Sequence, residues 1–333
     1  MSKGAKLVKP ASYAALILLL FLVPLFVKGA YPLHVLIMVG ISIFLTSSLR
    51  TIATTGQISL AHAGFMAIGA YTSALLMMKL GLPFWATFLM GGIAAALIAL
   101  LVGYPFVRVR RVYFAMLTLF TGAVIRYTIM EWRGVTGGTS GLLGIPHPNP
   151  IVIPRLLNIA FDSKVPYYYF ILVLVLISLL FLYRIDSSRV GRTLLAIQRG
   201  DSVAESVGIN VTNFKVFAWC VGCFFAGIAG SFYAHYIGVL TPDSFGVLQA
   251  IYIVVYMVIG GMRRFSGAIL GAFIFTLIPE VFRGLKEYQP FVFVGLLFIV
   301  IFFLPGGLVD LPEAVRARIR KRRGGGKPWP ILK

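Results

Sequence analysis

The sequence is poor in acidic residues and in charge altogether. Asp and Glu number 10 among 333 residues, charged residues make up 12% of the chain, and 59% of it is hydrophobic. Soluble domains usually carry about 25% charged and about 45–50% apolar residues. A soluble core could not hide this much apolar surface from water. The composition therefore excludes a soluble protein and predicts an integral membrane protein.

Cysteines and catalytic motifs are also scarce, which argues against most enzymes. Cys220 and Cys223 have the spacing of redox or metal motifs, but no second Cys or His pair completes a ligand set, so we interpret both as small apolar side chains. A zinc-protease motif, a nucleophile elbow and an acidic pair within an apolar run are all missing. The residues around Lys327 do not match the phosphate-binding loop motif. Lys321 stands where the motif needs its first glycine, and Pro328 stands where it needs Ser or Thr. We predict no metal, no cofactor and no ATP site in this chain.

Basic residues, in contrast, are numerous and give a net charge of +20. A basic stripe can bind nucleic acid, but here the basic residues lie between long apolar runs. That placement is typical of cytoplasmic loops that obey the positive-inside rule. We therefore predict membrane lipid, and no nucleic acid, as the surroundings of this chain.

Ten apolar runs are candidates for transmembrane helices, which need about 20 mostly apolar residues each. The runs are residues 12–27, 33–49, 57–78, 84–107, 112–130, 167–183, 214–237, 247–262, 268–282 and 291–304. The predicted fold is all-α, a polytopic bundle of transmembrane helices with about ten spans. Several runs are short, so eight or nine spans stay open.

The distribution of Lys and Arg favours an even number of spans. If the N-terminus is cytoplasmic and all ten runs cross, 22 of the 30 basic residues lie inside and 7 outside. This is the asymmetry of the positive-inside rule, and removing one crossing spoils it. We predict a multi-pass protein of the cell (inner) membrane with both termini in the cytoplasm.

Two hydrophilic segments interrupt the spans. Residues 132–166 are rich in Gly and Pro and form a predicted external loop, long enough to be a binding surface. Residues 186–213 interleave apolar and polar residues as one or two amphipathic helices at the cytoplasmic face would, with Gly208 as the stop. We predict a transmembrane domain over residues 1–310 and a basic cytoplasmic tail over residues 311–333.

Polar side chains at the start of the third run are the first candidates for a functional site, because polarity inside a membrane is costly. Gln57, Ser59 and His62 follow Gly56, and the pattern predicts a helix from Gln57 with Ser59, His62 and Met66 on one face. A half-helix that begins at a glycine beside a cavity could hold a carboxylate with its free N–H groups. Alternatively, the polar side chains only bond neighbouring helices.

Charged residues near the predicted outer ends have ordinary interpretations. Arg126 and Glu131 would extend towards the membrane surface, and Asp243 is a predicted N-cap of the run that begins at Gly246. Small residues within the spans let helices approach closely in lipid. The residues assigned to this packing are Gly227, Gly230, Gly267 and Gly271.

The third run also carries a family resemblance. Its segment GQISLAHAGFMAIGAY, residues 56–71, resembles the GQxSLxHxxFxxIGAY segment of branched-chain amino-acid ABC importer permeases. Further matches follow in order at residues 191–194, 204–211, 224–230, 244–245, 260–261 and 305–308. The resemblance covers roughly residues 31–310 and is closest to the M-type member of the permease pair. Arg263 and Arg264 depart from the pattern, because relatives more often carry small or apolar residues there.

The resemblance implies a function and partners. An external binding protein would deliver leucine, isoleucine or valine to this permease and a homologous second permease subunit, and two ATP-binding subunits would drive transport. The cytoplasmic segment resembles a variant of the EAAxxxG coupling element. The implied ATPase-coupling residues are Gly191, Arg192, Ala204, Glu205 and Gly208.

The polar residues of the third run predict part of a translocation pathway, and several alternative functions stay open. We expect Gly56, Gln57, Ser59 and His62 to line or border the translocation pathway. A urea or short-amide ABC permease, a sugar ABC permease, and an ATP-independent channel or secondary transporter stay open as alternative functions. An intramembrane enzyme is the least favoured, since no catalytic pair is present.

Overall fold

The computed structural model describes residues 17–27, 29–109, 111–153 and 157–282, together with 284, 291, 294–295, 297–298, 300, 302 and 306–310. The predicted tail over residues 311–333 and half of the apolar run 291–304 lie outside the described residues. The α-helices are α1 Ile17–Phe26, α2 Ala30–Ala53, α3 His62–Leu80, α4 Phe84–Val107, α5 Arg111–Glu131, α6 Arg133–Thr136, α7 Lys164–Ser187, α8 Arg189–Arg199, α9 Asp201–Ser206, α10 Val211–Ile237, α11 Val247–Gly260 and α12 Phe265–Val281.

Within the described residues, seven helices are long and apolar enough to cross a membrane. They are α2, α3, α4, α5, α7, α10 and the stretch Pro242–Gly260, which joins a 3₁₀ turn at Pro242–Phe245 to α11. Helices α1 and α12 are apolar but shorter than a full span. The predicted all-helical membrane bundle is confirmed, whereas the count of about ten spans is not.

The two ends of the bundle are defined by different contacts between helices and loops. At one end, named here the basal end, Arg50 of α2 contacts Asp186 of α7 and the carbonyl of Met262. At the opposite end, named the loop end, Asn149 accepts a hydrogen bond of 2.8 Å from the backbone N–H of Phe84, at the start of α4. Helices α2 and α7 therefore end at the basal end, and α4 starts at the loop end.

Helix α10 is the centre of the bundle and packs against α2, α3 and α4. Trp219 of α10 is fully buried, donates a hydrogen bond of 2.9 Å to the carbonyl of Ala99, and meets the rings of Phe65 and Phe114 edge-on at 5.3 Å. Lipid offers no hydrophobic drive between helices, so such close contacts supply the attraction. Helix α5 is the opposite case, because few of its residues are buried.

The segment between α5 and α7 contains the short strands β1 Leu142–Leu143, β2 Ile151–Ile153 and β3 Leu157–Ile159. Strand β1 pairs antiparallel with β4 Val239–Leu240, which follows α10, and β2 pairs with β3 in a hairpin. His235 of α10 contacts the carbonyl of Pro146 at 2.8 Å. These contacts fix the segment to the loop end of the bundle.

Candidate translocation and coupling site

The chain between α2 and α3 is not helical, which corrects two expectations. Helix α2 continues to Ala53, four residues beyond the predicted apolar run 33–49. The hydroxyls of Thr54 and Thr55 bond carbonyls of the last turn, at 2.6 and 2.7 Å, and Gly56 then adopts φ +82°, which glycine tolerates and L-residues rarely adopt. The chain turns there, and α3 begins only at His62.

The predicted helix start at Gln57, and the shared helical face of Ser59, His62 and Met66, are therefore wrong. Residues 54–61, named here the re-entrant segment, form a turn at residues 54–56 and then run without regular secondary structure to the start of α3. Their backbone finds partners, since the N–H of Leu60 donates to the hydroxyl of Thr118 at 3.0 Å. Non-helical backbone at membrane depth is tolerated where protein surrounds it.

The four predicted pathway residues share this short stretch of chain but have different neighbours. Gln57 is 2% exposed and its amide donates to the carbonyl of Val107 at 3.2 Å. The Ser59 hydroxyl accepts a local bond from the N–H of Ala61 at 3.2 Å. Gly56 lies beside Arg111, because a Cβ at Gly56 would be 3.1 Å from its guanidinium carbon.

His62 is fully buried and bonds to α2. Its Nε2 lies 2.8 Å from the hydroxyl of Ser48, and that hydroxyl donates to the carbonyl of Leu45 at 2.9 Å. A hydroxyl has one proton, so Ser48 accepts from His62 Nε2–H and the Nδ1 of His62 is an acceptor. Among the described residues this Nδ1 and the hydroxyls of Thr46 and Ser47 have no hydrogen-bond partner. An unpaired buried polar group costs about 1–3 kcal/mol, so the unpaired Nδ1 of His62 favours a water or a polar ligand beside it.

The predicted amphipathic segment contains two helices, α8 and α9. The Ser188 hydroxyl caps α8 by accepting from the N–H groups of Val190 and Gly191 at 3.1 and 3.4 Å. A Cβ at Gly191 would lie 2.2 Å from the carbonyl of Asp186, so the tight connection between α7 and α8 requires glycine. Gly208 follows α9 with φ +83°.

The predicted coupling residues divide into two groups in the structure. Arg192, Glu205 and Gly208 are exposed at the basal end. Ala204 is buried with Ile197 and Val211 in a small core that joins α8, α9 and the start of α10. Ala204 and Gly191 thus shape the segment, whereas the exposed residues are available to a partner.

Sequence reasoning missed the residue that ties α8 to the bundle. Arg50 is 3% exposed, and its guanidinium pairs with Asp186 through Nη1–Oδ1 at 3.1 Å and Nη2–Oδ2 at 3.4 Å. Its Nε donates to the carbonyl of Met262 at 3.3 Å, and its Cζ lies 5.4 Å from the centre of the Phe265 ring. The available signal was an arginine directly after an apolar run, because a charge at the end of a span is costly unless it is paired or reaches water.

A second missed contact joins the end of α8 to the chain directly before the re-entrant segment. The Gln198 amide at the end of α8 donates to the carbonyl of Ala53 at 3.4 Å, and Arg111 donates to the carbonyl of Gln198. Arg111 is also the side chain beside Gly56. A displacement of α8 would therefore reach the start of the re-entrant segment through direct contacts.

Near the loop end, one expectation about charged residues is wrong. Asp243 is not an N-cap, because α11 begins after Gly246 without a side-chain cap. Asp243 instead lies in the 3₁₀ turn Pro242–Phe245 and forms an ion pair with Arg126 of α5. Arg126 therefore bonds within the protein, where we predicted an extension to the membrane surface.

The four predicted packing glycines lie where helix backbones meet. A Cβ would come within 1.9 Å of the Met66 carbonyl at Gly230 and within 2.6 Å of the Ala95 side chain at Gly227. At Gly267 a Cβ would lie 2.0 Å from the carbonyl of Gly261, directly after α11, and at Gly271 it would lie 1.9 Å from the carbonyl of Tyr256 within α11.

Comparison with known proteins places this architecture in a family. The family model described as branched-chain amino acid transport system / permease component matches residues 31–305. The chain is 28% identical over 293 residues to the high-affinity branched-chain amino acid transport system permease protein LivM of Salmonella typhimurium, covering 83% of this chain and 68% of the relative. LivM of Escherichia coli matches with the same identity and coverage.

A second kind of permease matches as well. The high-affinity branched-chain amino acid transport system permease protein LivH of Salmonella typhimurium is 23% identical over 281 residues, which are 78% of this chain and 87% of the relative. No solved structure matches the chain. The family model covers most of the chain, and it matches a multi-pass bundle with the motif-bearing segments described above. The chain therefore belongs to the family of permease components of branched-chain amino acid transport systems.

Proposed function

We propose that this protein is a membrane-spanning permease subunit of an ATP-driven importer and that it translocates branched-chain amino acids. The observation that carries the proposal is that Gln198 at the end of α8 bonds Ala53, the residue directly before the re-entrant segment, and Arg111, the side chain beside Gly56. An importer driven from outside the chain needs such a connection. The substrate follows the names of the LivM and LivH relatives.

Partners follow from surfaces and relatives. Salmonella typhimurium has both a LivM and a LivH protein, and this chain is similar to each. That pattern supports a homologous second permease subunit beside this one. Two ATP-binding subunits would contact Arg192, Glu205 and Gly208, and an external binding protein would dock on the loop 132–166. ATP hydrolysis belongs to the separate subunits.

Orientation follows from charge. The basal end carries basic residues of α5, α8 and the turn after α11, including Arg111, Arg189, Arg192 and Arg264. By the positive-inside rule this end faces the cytoplasm. Both termini would then be cytoplasmic in the inner membrane, with a permease domain over residues 1–310 and a basic tail over residues 311–333.

The mechanism uses the contacts of the basal end. Closure of the ATPase subunits would displace α8 and α9 as a unit, since Ala204 packs with Ile197 of α8. Gln198 and Arg111 would pass this displacement to the re-entrant segment and change access to the corner beside His62. A pathway for branched-chain amino acids should be mostly apolar with few polar contacts, and Gln57 and His62 would supply such contacts.

Reconstitution tests the proposal. The complex of both permeases, the ATPase subunits and the binding protein is placed in proteoliposomes and assayed for ATP-driven uptake of leucine, isoleucine, valine, urea and ribose. We expect uptake of the three amino acids alone. Uptake of urea or ribose in their place would establish the corresponding alternative, and uptake without ATP would establish a channel or secondary transporter.

Cysteine labelling tests the orientation. Ser202 in α9 and Leu143 in β1 are both exposed, at opposite ends of the bundle. In intact cells, an impermeant reagent should modify a cysteine at position 143 and not one at position 202. The reverse pattern would invert the proposed orientation, and equal labelling of both would contradict the span arrangement.

A further inference from the structure

The ion pair of Arg126 and Asp243 lies below the loop end of the bundle. Arg126 is five residues before the end of α5, about 7.5 Å along the helix axis. Phe245, in the same 3₁₀ turn as Asp243, meets the ring of Tyr71 edge-on at 6.2 Å. Tyr71 lies nine residues before the end of α3, about 13 Å from it. The pair is therefore within the depth that the helices span.

Both members of the pair are accessible at this depth. The side chain of Asp243 is 80% exposed and that of Arg126 is 26% exposed. A charged side chain inside the membrane avoids hydrocarbon and faces the bundle interior or a water-filled cavity. The face of α5 that carries Arg126 consequently does not face lipid in the assembled transporter. It faces water, in a pathway between this subunit and its partner.

The chemistry of the pair matches one class of ligand. An α-amino acid carries a carboxylate and an ammonium group on one carbon, and the pair presents a guanidinium and a carboxylate in direct contact. A guanidinium binds carboxylates in a planar, two-point geometry. Replacement of the internal ion pair by two pairs with the substrate keeps every charge compensated.

Apolar side chains adjoin the pair. Val124 and Tyr127 on α5 are 62% and 57% exposed, and the Tyr127 ring centre lies 5.7 Å from the Arg126 guanidinium carbon. Val247 and Leu248, at the start of α11 shortly after Asp243, are also exposed. Apolar walls with a few placed charges are typical of sites for small, mostly apolar ligands.

We propose that Arg126 and Asp243 form a recognition site for the zwitterionic head of an α-amino acid on its way through the permease, with Arg126 binding the α-carboxylate and Asp243 the α-ammonium. This inference rests on the proposed function and deepens it. The site selects amino acids against urea and sugars, because neither carries two separated charges. A simple strut between α5 and the 3₁₀ turn is the competing explanation.

Charge neutralisation and charge exchange separate the two explanations. In proteoliposomes with saturating leucine-loaded binding protein, Arg126→Gln and Asp243→Asn should each lower the maximal leucine uptake about tenfold or more. This factor corresponds to the loss of one charged hydrogen bond. The exchanged double variant, Arg126→Asp with Asp243→Arg, restores the ion pair but reverses the charges that meet the substrate. It should stay impaired, whereas a strut would be restored. Lys79→Gln, an exposed charge at the end of α3, is the matched control and should transport normally.

Labelling tests water access and substrate contact directly. Val247, which is exposed and lies four residues after Asp243, is replaced by Cys, and a melting curve checks that the fold is kept. With Cys220 and Cys223 replaced by Ala, a charged, impermeant thiosulfonate should modify position 247 from the loop-end side. Leucine-loaded binding protein with ATP should slow that modification, and binding protein without leucine should not. Absence of modification, or modification that leucine leaves unchanged, would overturn the inference.

The outcomes also separate this inference from the proposed function. If the wild-type complex takes up leucine and Asp243→Asn takes it up equally well, the zwitterion site is wrong and the proposed function stands. If the wild-type complex takes up urea and no amino acid, both fall together, because urea offers no charges for the pair to bind.

Discussion

The Arg50 guanidinium and the Asp186 carboxylate face each other with both pairs of atoms, at 3.1 and 3.4 Å. Asp186 is the second-last residue of α7, directly before the connection to α8. Arg50 also holds the carbonyl of Met262 after α11. One buried side chain therefore joins α2, the root of the coupling helices and the turn before α12. It fixes the start of α8, while Gln198 at the other end of α8 bonds Ala53, directly before the re-entrant segment.

Replacement of Arg50 by Met should strongly destabilise the permease. It removes the partner of a carboxylate that is only 23% exposed and leaves the Met262 carbonyl without its donor. Breaking a buried ion pair from one side costs about 3–5 kcal/mol, and the partial exposure of Asp186 puts the expected loss near the lower end of that range. Thermal unfolding of the purified complex in detergent measures the effect.

Arg264→Met is the matched control, because the Arg264–Asp310 pair is longer, at 3.8 Å, and more exposed. The side chain of Arg264 is 49% exposed and that of Asp310 is 35% exposed. Exposed pairs contribute about 0–1 kcal/mol. Equal decreases in thermal stability for the two variants would show that the Arg50–Asp186 pair stabilises the protein no more than an exposed pair does.

Coupling to the ATPase should depend on the exposed face of α9. Glu205 is exposed and lies just before the left-handed turn at Gly208. We expect Glu205→Ala to leave the permease folded in the membrane and ATP hydrolysis active, but to lower leucine uptake per ATP hydrolysed. Ser206→Ala is the control, since the Ser206 hydroxyl bonds only the carbonyl of Val203 in its own helix among the described contacts. If Glu205→Ala transports as much leucine per ATP hydrolysed as the wild type does, Glu205 does not take part in the contact with the ATPase subunit.

The central helix contacts should tolerate no added methyl group. In Gly230→Ala the new Cβ would lie 1.9 Å from the Met66 carbonyl, so α3 and α10 must separate. Overpacking of this kind typically costs about 1–3 kcal/mol. Gly122→Ala in α5 is the control, because its nearest neighbours would be 3.5 Å away, and alanine gains about 0.8–1 kcal/mol of helix propensity over glycine. A lowered melting temperature for Gly230→Ala alone is the expected result.

Local patterns in the sequence predicted the spans and the amphipathic helices of this protein, but not its long-range ion pairs. Apolar runs located the spans, and the amphipathic pattern located α8 and α9 with their stop at Gly208, because these features depend on neighbouring residues. The ion pairs join residues that are 136 positions apart for Arg50 and Asp186 and 117 apart for Arg126 and Asp243. No local periodicity contains that information.

The re-entrant segment was missed for a different reason. Its apolar residues continue smoothly into α3, so the hydropathy of residues 57–78 matches one unbroken span. The break depends on the left-handed backbone at Gly56 and on partners elsewhere, such as Thr118 for the N–H of Leu60. Composition contains the glycine, but tertiary contacts decide that the chain turns there.

Transport itself should be sensitive to Gln57 and His62. Both side chains are buried, and the amide of Gln57 bonds the carbonyl at the end of α4 while the His62 ring bonds Ser48 of α2. If they border the pathway, Gln57→Ala and His62→Ala should each lower the leucine uptake rate on the order of tenfold, as loss of a buried polar contact of about 1–3 kcal/mol would. The affinity of the binding protein for leucine should not change, because that site is on another molecule. Ser178→Ala is the control, since its buried hydroxyl bonds only the Val175 carbonyl of its own helix among the described contacts, and it should transport at the wild-type rate. Two variants that melt at lower temperature yet transport normally would assign Gln57 and His62 to helix packing alone.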